Sequence, residues 1–242
     1  MRAGSRVVVV VPAKNESTRI ARVVTTLPSW VDRVLVVDDA STDGTAEHAR
    51  ATGDARVRVI VHPENRGVGA AIVSGYRAAL DEPGARDDAF VVMAGDAQMD
   101  PDDLPRVVDP IAHGEAGYVK GNRFASPEVW RAMPLARRLG GEVLSRLTTR
   151  AIGVSITDSQ CGYTAIARWA CEAIDLDQVF PRYGYPNDLL GLLARKKIPI
   201  REVVVRPVYA GEASGLRAWH VARIGAIVAR AWAARIYEER RG

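Results

Sequence analysis

The sequence predicts an α/β protein with a mostly parallel, Rossmann-like central sheet flanked by helices. Three observations predict it. Short continuous apolar runs recur through the first half at Val7–Val11, Val34–Val37, Val57–Val61 and Phe90–Met93. Unbroken rather than alternating hydrophobicity marks strands covered on both faces. Segments of helical length and pattern lie between the runs, the alternation that a parallel sheet needs for its crossovers. Polar clusters follow the runs, and in open parallel sheets ligands bind beyond the carboxyl ends of the strands.

Taken in order, Val7–Val11 is the first strand, and Lys14-Asn15-Glu16-Ser17 leads into a helical pattern through Ile20, Val23, Val24 and Leu27 that Pro28 closes. After the second strand, Asp38–Thr45 forms a turn in which Ser41 or Asp43 suits a helix N-cap. The third strand is followed by the loop His62–Arg66 and a helix from about Val68 to Leu80. Phe90–Met93 precedes a helix containing Val107–Ile111. The second half is less regular. It reads as a strand at Tyr118–Lys120, a basic helical stretch over Val129–Ile152, a strand at Gly162–Ile166, a helix at Asp188–Lys196 and a strand at Ile200–Val208. From Leu216 to Tyr237 the apolar positions Trp219, Ile224, Ile227, Val228, Ala231, Trp232 and Ile236 share one helical face. The expected organisation is a domain over residues 1–215 and a basic amphipathic helix over 216–242.

With 242 residues, 48% hydrophobic and 26% charged, the chain can bury a sizeable core. Cys161 and Cys171 form no metal-ligand spacing with the four histidines, no secretory signal opens the sequence, and no apolar run has the length of a membrane span. These features point to free thiols in a cytoplasmic protein. The net charge of +4 is uneven: residues 121–150 carry six arginines against two glutamates, and residues 216–242 do the same. Two basic segments on an acidic body suit an anionic surface or substrate, and no nucleic-acid partner is expected.

Three clusters can carry chemistry. In Met93-Ala94-Gly95-Asp96-Ala97-Gln98-Met99-Asp100-Pro101, Asp96 and Gln98 are two apart on an extended segment and can face one ligand. Oxygen ligands of this kind suit Mg²⁺ or Mn²⁺ shared with phosphates and water; a turn or helix cap is the plain alternative. Pro12-Ala13-Lys14-Asn15-Glu16 and Val37-Asp38-Asp39-Ala40-Ser41-Thr42-Asp43 follow the first two strands, where a carboxylate can meet a ribose or base or merely shape a turn. A P-loop is absent, and no G-x-G-x-x-G follows the first strand. A nucleotidylyltransferase would need a glycine-rich basic loop there, and Pro12–Ser17 contains no glycine.

In this order the three clusters resemble those of family 2 glycosyltransferases of GT-A fold, most closely the polyprenyl-phosphate (dolichyl-phosphate) mannosyl- and glucosyltransferases. Asn65-Arg66-Gly67-Val68-Gly69-Ala70-Ala71, Gly121-Asn122-Arg123-Phe124 and Asp158-Ser159-Gln160-Cys161-Gly162-Tyr163 extend the resemblance over about residues 6–215. It implies an inverting transfer of a hexose, mannose or glucose, from a GDP- or UDP-sugar to a polyprenyl phosphate. Pro12, Lys14, Glu16, Val37 and Asp39 would line the donor's base and ribose. Asp96 and Gln98 would hold Mg²⁺ or Mn²⁺ against the diphosphate, and Arg123 would bind phosphate. Asp158 and Asp188, in Tyr185-Pro186-Asn187-Asp188, would lie on the acceptor side, so that Asp96, Arg123, Asp158 and Asp188 form the catalytic set.

Three positions depart from the pattern. Ala94 replaces the first carboxylate of the family's D-x-D, and Lys14 stands where an aromatic residue is common. The family's late R-x-x-G-x-S-K is replaced by Val208–Gly215, with Arg206 and Arg217 nearby as substitutes or as plain surface arginines. A hydroxyl-acceptor transferase and a non-catalytic binding subunit therefore stay open beside the main reading. Residues 124–150 and 216–241 mix arginine with apolar and aromatic side chains, which suits peripheral contact with an anionic cytoplasmic membrane face. Packing on the domain or in a homo-oligomer is the alternative.

Overall fold

The computed structural model describes residues 1–126, 129, 133, 135–206, 208 and 218–239, without the side chains of 135–137, 218–223, 234 and 238–239. Seven strands form one sheet: β1 (Val7–Ala13), β2 (Arg33–Asp38), β3 (Val57–Val61), β4 (Ala89–Val92), β5 (Tyr118–Asn122), β6 (Thr164–Ala167) and β7 (Ile200–Val204), in the spatial order β3-β2-β1-β4-β6-β5-β7. β1 runs parallel to β2 and β4, and β2 parallel to β3. β6 is antiparallel to both β4 and β5, while β5 and β7 are parallel. Two antiparallel steps restore the direction, so every strand except β6 ends at the same edge.

The burial of these strands follows their place in the order. β1 and β4 are buried at every position, whereas β3 and β7 are the sheet's edges and mix half-buried with exposed positions. Around the sheet lie α1 (Ile20–Thr25), α2 (Thr45–Ala51), α3 (Val68–Leu80), α4 (Leu104–Ala112), α5 (Leu135–Ile152), α6 (Arg168–Glu172), α7 (Tyr185–Arg195) and α8 (Ala218–Glu239). Gly75 lets α3 sit hard on the sheet, since a Cβ there would lie 2.2 Å from Val10 Cγ1.

The second half is more fragmented than its sequence pattern. The strand expected from Gly162 begins at Thr164, that expected to reach Val208 stops at Val204, and α6 was not anticipated. α2 starts after Gly44, a left-handed residue at φ 83°, rather than at Ser41 or Asp43. The described part of α8 is integral to the molecule: Ile224, Ile227 and Val228 are buried against α5 and α7. Both cysteines are buried and unpaired.

Candidate active site

The sheet order creates a crevice. β1 has β2 on one side and β4 on the other, so the chain changes direction across the sheet at the β1/β4 boundary, the place where open α/β sheets admit ligands. The loops meet closely there: Gly95 N donates to Pro12 O at 3.0 Å, and a Cβ on Gly95 would lie 3.0 Å from Ala13 Cβ.

Asp96 and Gln98 follow β4 at this crevice, both half-buried. Asp96 Oδ1 accepts from Gln98 N at 3.0 Å, and Ala97 between them takes a left-handed φ of 59°. Gln98 O accepts from Val208 N at 3.0 Å, which ties this loop to the chain beyond β7. Among the described residues no group of three His, Cys, Asp or Glu side chains can hold a metal alone. One carboxylate and one amide fit a hard divalent cation whose shell is completed by a ligand's phosphates and water. Ala94 offers no side-chain oxygen.

The loops after β1 and β2 are laced together. Lys14 Nζ donates to Asp39 O at 3.1 Å and Ala40 O at 3.0 Å. Asn15 N donates to Ser41 Oγ, and Asn15 Oδ1 accepts from Thr42 N, both at 2.9 Å. Ser17 N donates to Asp43 Oδ2 at 3.0 Å. Burial opposes ionisation of Asp43, but hydrogen bonds from Thr45 and Ser17 outweigh it and hold the carboxyl down at about 2. Glu16 pairs with Arg19 at 2.8 Å.

Pro12 is buried and Val37 is 0% exposed, so both stand in the wall of the core rather than on an open surface. Asp39 is 3% exposed, and its carboxylate is engaged by its own fold. It accepts from His62 Nδ1 at 2.8 Å, Arg66 N at 2.8 Å and Gly67 N at 2.7 Å. Burial raises its pKa, and these three bonds bring it below the usual carboxylate value. Asp39 thus joins the end of β2 to the turn that starts α3.

On the other side of the crevice, Arg123 follows β5 and meets Asp158. Its Nε and backbone N donate to Asp158 Oδ2 at 2.8 and 3.0 Å, and its Nη2 donates to Oδ1 at 2.9 Å. Asp158 is 0% exposed. Burial disfavours its charge, yet the Arg123 guanidinium more than compensates and keeps the carboxyl below its ordinary range. The fork is bidentate, so it fixes the orientation of the guanidinium as well as its charge.

Two further residues, not anticipated from sequence, complete this pair. Glu202 on β7 accepts from Thr157 N at 2.9 Å and Asp158 N at 3.0 Å. Lys120 on β5 is fully buried, and its Nζ donates to Cys161 O at 2.6 Å. Burial pulls its pKa down from the usual lysine value. The available signal was a lysine in an otherwise apolar strand, two residues before Asn122.

Asp188 lies in the first turn of α7 and is 5% exposed. Its Oδ2 accepts from Phe180 N at 2.8 Å, and its Oδ1 pairs with Arg230 of α8. Gln160 Nε2 donates to Asn187 Oδ1 at 2.5 Å, so the Asp158 loop and the start of α7 are adjacent. The Asp96 loop joins them: Tyr163 OH donates to Asp100 O at 3.0 Å, and a Cβ on Gly162 would lie 3.3 Å from Met99 Cε. Arg206 is half-buried and ion-paired. It pairs with Asp100 at 3.1 Å and with the fully buried Asp103 at 3.3 Å. Arg217 lies outside the described residues.

The sheet order, the single reversed strand and the loops gathered at one edge define an α/β protein of GT-A fold. The model of the family described as Glycosyl transferase family 2 matches residues 8–174, and the chain belongs to that family. It is therefore a family 2 glycosyltransferase. It is 30% identical over 222 residues to the UDP-N-acetylglucosamine–dolichyl-phosphate N-acetylglucosaminyltransferase of Methanococcus voltae, covering 86% of this chain and 87% of that one. It is 31% identical over 205 residues to the undecaprenyl-phosphate mannosyltransferase of Micrococcus luteus, covering 83% and 82%. In three dimensions it resembles glucosyl-3-phosphoglycerate synthase from Mycobacterium tuberculosis, solved with Mn²⁺, UDP and phosphoglyceric acid. There the TM-score is 0.71 and the identity 23%, covering 96% of this chain and 80% of the other.

Proposed function

We propose that this glycosyltransferase moves a sugar from a nucleotide diphosphate donor to a polyprenyl phosphate by metal-assisted inverting displacement. The observation that carries the reading is that the Asp96 loop touches the loop of Asp158, which holds Arg123, through Tyr163 OH and Asp100 O, in a chain whose relatives are named for dolichyl and undecaprenyl phosphate. Those relatives are named for N-acetylglucosamine and mannose, and the donor in this reading is a GDP- or UDP-linked sugar.

In this reading Lys14, Glu16 and the turn held by Asp39 receive the base and ribose, with Pro12 and Val37 as the wall behind them. Asp96 and Gln98 would hold Mg²⁺ or Mn²⁺ beside the donor's diphosphate; the structural neighbour was solved with Mn²⁺ and UDP, which supports a divalent ion. When bound, the ion supplies charge neutralisation at the leaving diphosphate. Arg123 binds phosphate, and Asp158 acts through it as a positioning residue. A phosphate acceptor is already anionic, so positioning replaces proton abstraction and a buried, fully engaged Asp158 is no handicap. A hydroxyl acceptor would need a base, a role that would fall to Asp188 once its partners moved.

The same reading places the chain at an anionic membrane face. Leu139, Val143 and Leu147 are about half exposed, at 51, 55 and 50%. They repeat every four residues along α5 and so form one stripe, accompanied by the exposed Arg146 and Arg150. Leu144 of the same helix is buried in the core, and Val129 and Met133 before it are buried as well. α8 divides likewise, with Trp232 and Tyr237 outward. Trp130 and the side chain of Trp219 lie outside the described residues.

The test is nucleotide release from UDP-glucose, UDP-N-acetylglucosamine and GDP-mannose with Mn²⁺, given either a short-chain polyprenyl phosphate or an oligosaccharide panel. Turnover with the lipid phosphate, stopped by EDTA and by Asp96→Ala, is expected. Turnover only with oligosaccharides would favour the hydroxyl-acceptor enzyme. Nucleotide binding without turnover would favour the non-catalytic subunit, for which Ala94 is the specific argument.

A further inference from the structure

The segment 180–184 joins β6 and α6 to α7 and is held from two sides. On one side is the turn that starts α3. Ala70 N donates to Pro181 O at 2.9 Å, and the chains approach so closely that a Cβ on Gly67 would lie 2.5 Å from Pro181 O and one on Gly69 2.2 Å from Phe180 O. Arg182 adds bonds to Asn65, at 3.4 Å to Oδ1 and 3.3 Å to O. On the other side is α8. Gly184 takes a φ of 115°, and a Cβ there would lie 2.6 Å from Ile227 Cδ1. Arg230 pairs with Asp188, whose other oxygen accepts from Phe180 N at 2.8 Å. The same α3 turn is bound by Asp39 through Arg66 N and Gly67 N.

The contacts therefore run without a gap from α8 through Asp188 and segment 180–184 to the Gly67 turn and Asp39. We propose that Arg230 is a positioning residue for the donor site: with Ile227 it presses segment 180–184 against the Gly67–Gly69 turn and so fixes the loop that receives the nucleotide. The inference rests on the donor-site reading above. It gives α8 a role in the reaction besides packing. The helix that carries the outward Trp232 also sets the affinity for a ligand bound at the opposite end of this chain of contacts. Arg230 itself is 61% exposed on its side chain, whereas Asp188 is only 7% exposed, so loss of the arginine leaves a nearly buried carboxylate without its counter-charge.

The experiment is calorimetric titration of UDP and of GDP, each with Mn²⁺, into the full chain. Arg230→Met is expected to weaken the nucleotide that the wild type binds by roughly 2- to 30-fold, the range of couplings carried through packed networks. Arg230→Lys should recover part of the loss. Asp188→Asn keeps an oxygen for Phe180 N but drops the ion pair, so it should weaken binding to a similar degree and add little to Arg230→Met in the double variant. Nucleotide affinity is the readout because an acceptor-side base would not change it. Trp232→Ala, outward on the same helix, should leave it unchanged. Full affinity in Arg230→Met, or additive losses in the double variant, would overturn the clamp while leaving the donor site intact. If the wild type binds neither nucleotide, the donor-site reading falls, and the clamp with it.

Discussion

The Arg123–Asp158 pair shows how a single side chain can be made dependable by burial. A carboxylate with no exposed surface must be compensated, and three hydrogen bonds from one arginine do so. Removing the cation strands the anion: Arg123→Met should lower stability by about 3–5 kcal/mol in denaturant unfolding. Arg123→Lys keeps the charge, loses the fork, and should fall between the two. The folded pKa of Asp158 is depressed, so its contribution is complete above the unfolded value of about 3.9 and is lost as pH falls through the lower folded value. Wild-type stability should therefore decline on acidification below that point, with a shallower decline in Arg123→Met. An equally steep acid limb in the variant would remove Asp158 as its source.

At the scale of elements, α3 separates packing from function along one helix. Gly75 faces Val10 of β1, and Gly69 faces Phe180 O. Either alanine overfills a close contact, an error that costs about 1–3 kcal/mol. Gly75→Ala should lower the melting temperature and leave nucleotide affinity alone. Gly69→Ala should weaken nucleotide binding as well, because it pushes on the donor-site turn. Equal nucleotide affinities in the two variants would show that the turn tolerates displacement. The sequence placed α3 at about Val68 to Leu80, where the structure has it, because thirteen residues of apolar periodicity leave little ambiguity. β6 was legible as a strand, expected at Gly162–Ile166 and found at Thr164–Ala167, but not in its direction. Four residues carry no sign of direction, and its antiparallel placement between β4 and β5 is decided by partners distant in the chain. The same distinction holds in the site. Asp96, Gln98, Arg123 and Asp158 stand in ordered local motifs, whereas Lys120, Glu202 and Arg230 acquire meaning only from neighbours 41, 44 and 42 residues away.

At the scale of the whole molecule, charge and exposed apolar surface are arranged on the same elements. The chain is +4 overall, and the segments containing α5 and α8 each carry that excess over an acidic remainder. No described helix is long and apolar enough to cross a membrane. Fully burying a leucine or valine gains roughly 1.5–3 kcal/mol. Three half-exposed residues on α5 can therefore supply a few kcal/mol, enough for reversible attachment that arginines would strengthen at an anionic surface. Vesicles containing anionic lipid should sediment the chain, and neutral vesicles should do so less well. Salt should weaken the anionic component, since the Debye length is only about 10 Å at 0.1 M. Val143→Asp with Leu147→Asp removes two apolar contacts and adds two negative charges, so the double variant should bind such vesicles at least about tenfold more weakly, a change worth about 1.4 kcal/mol. Both residues are exposed, and the fold should lose no more than about 0.5 kcal/mol per substitution. Undiminished vesicle binding by the folded double variant would mean that the stripe faces something other than lipid. A parallel measurement of nucleotide release separates attachment from chemistry: with a short, water-soluble polyprenyl phosphate the double variant should turn over as the wild type does, and only with the acceptor embedded in vesicles should it slow.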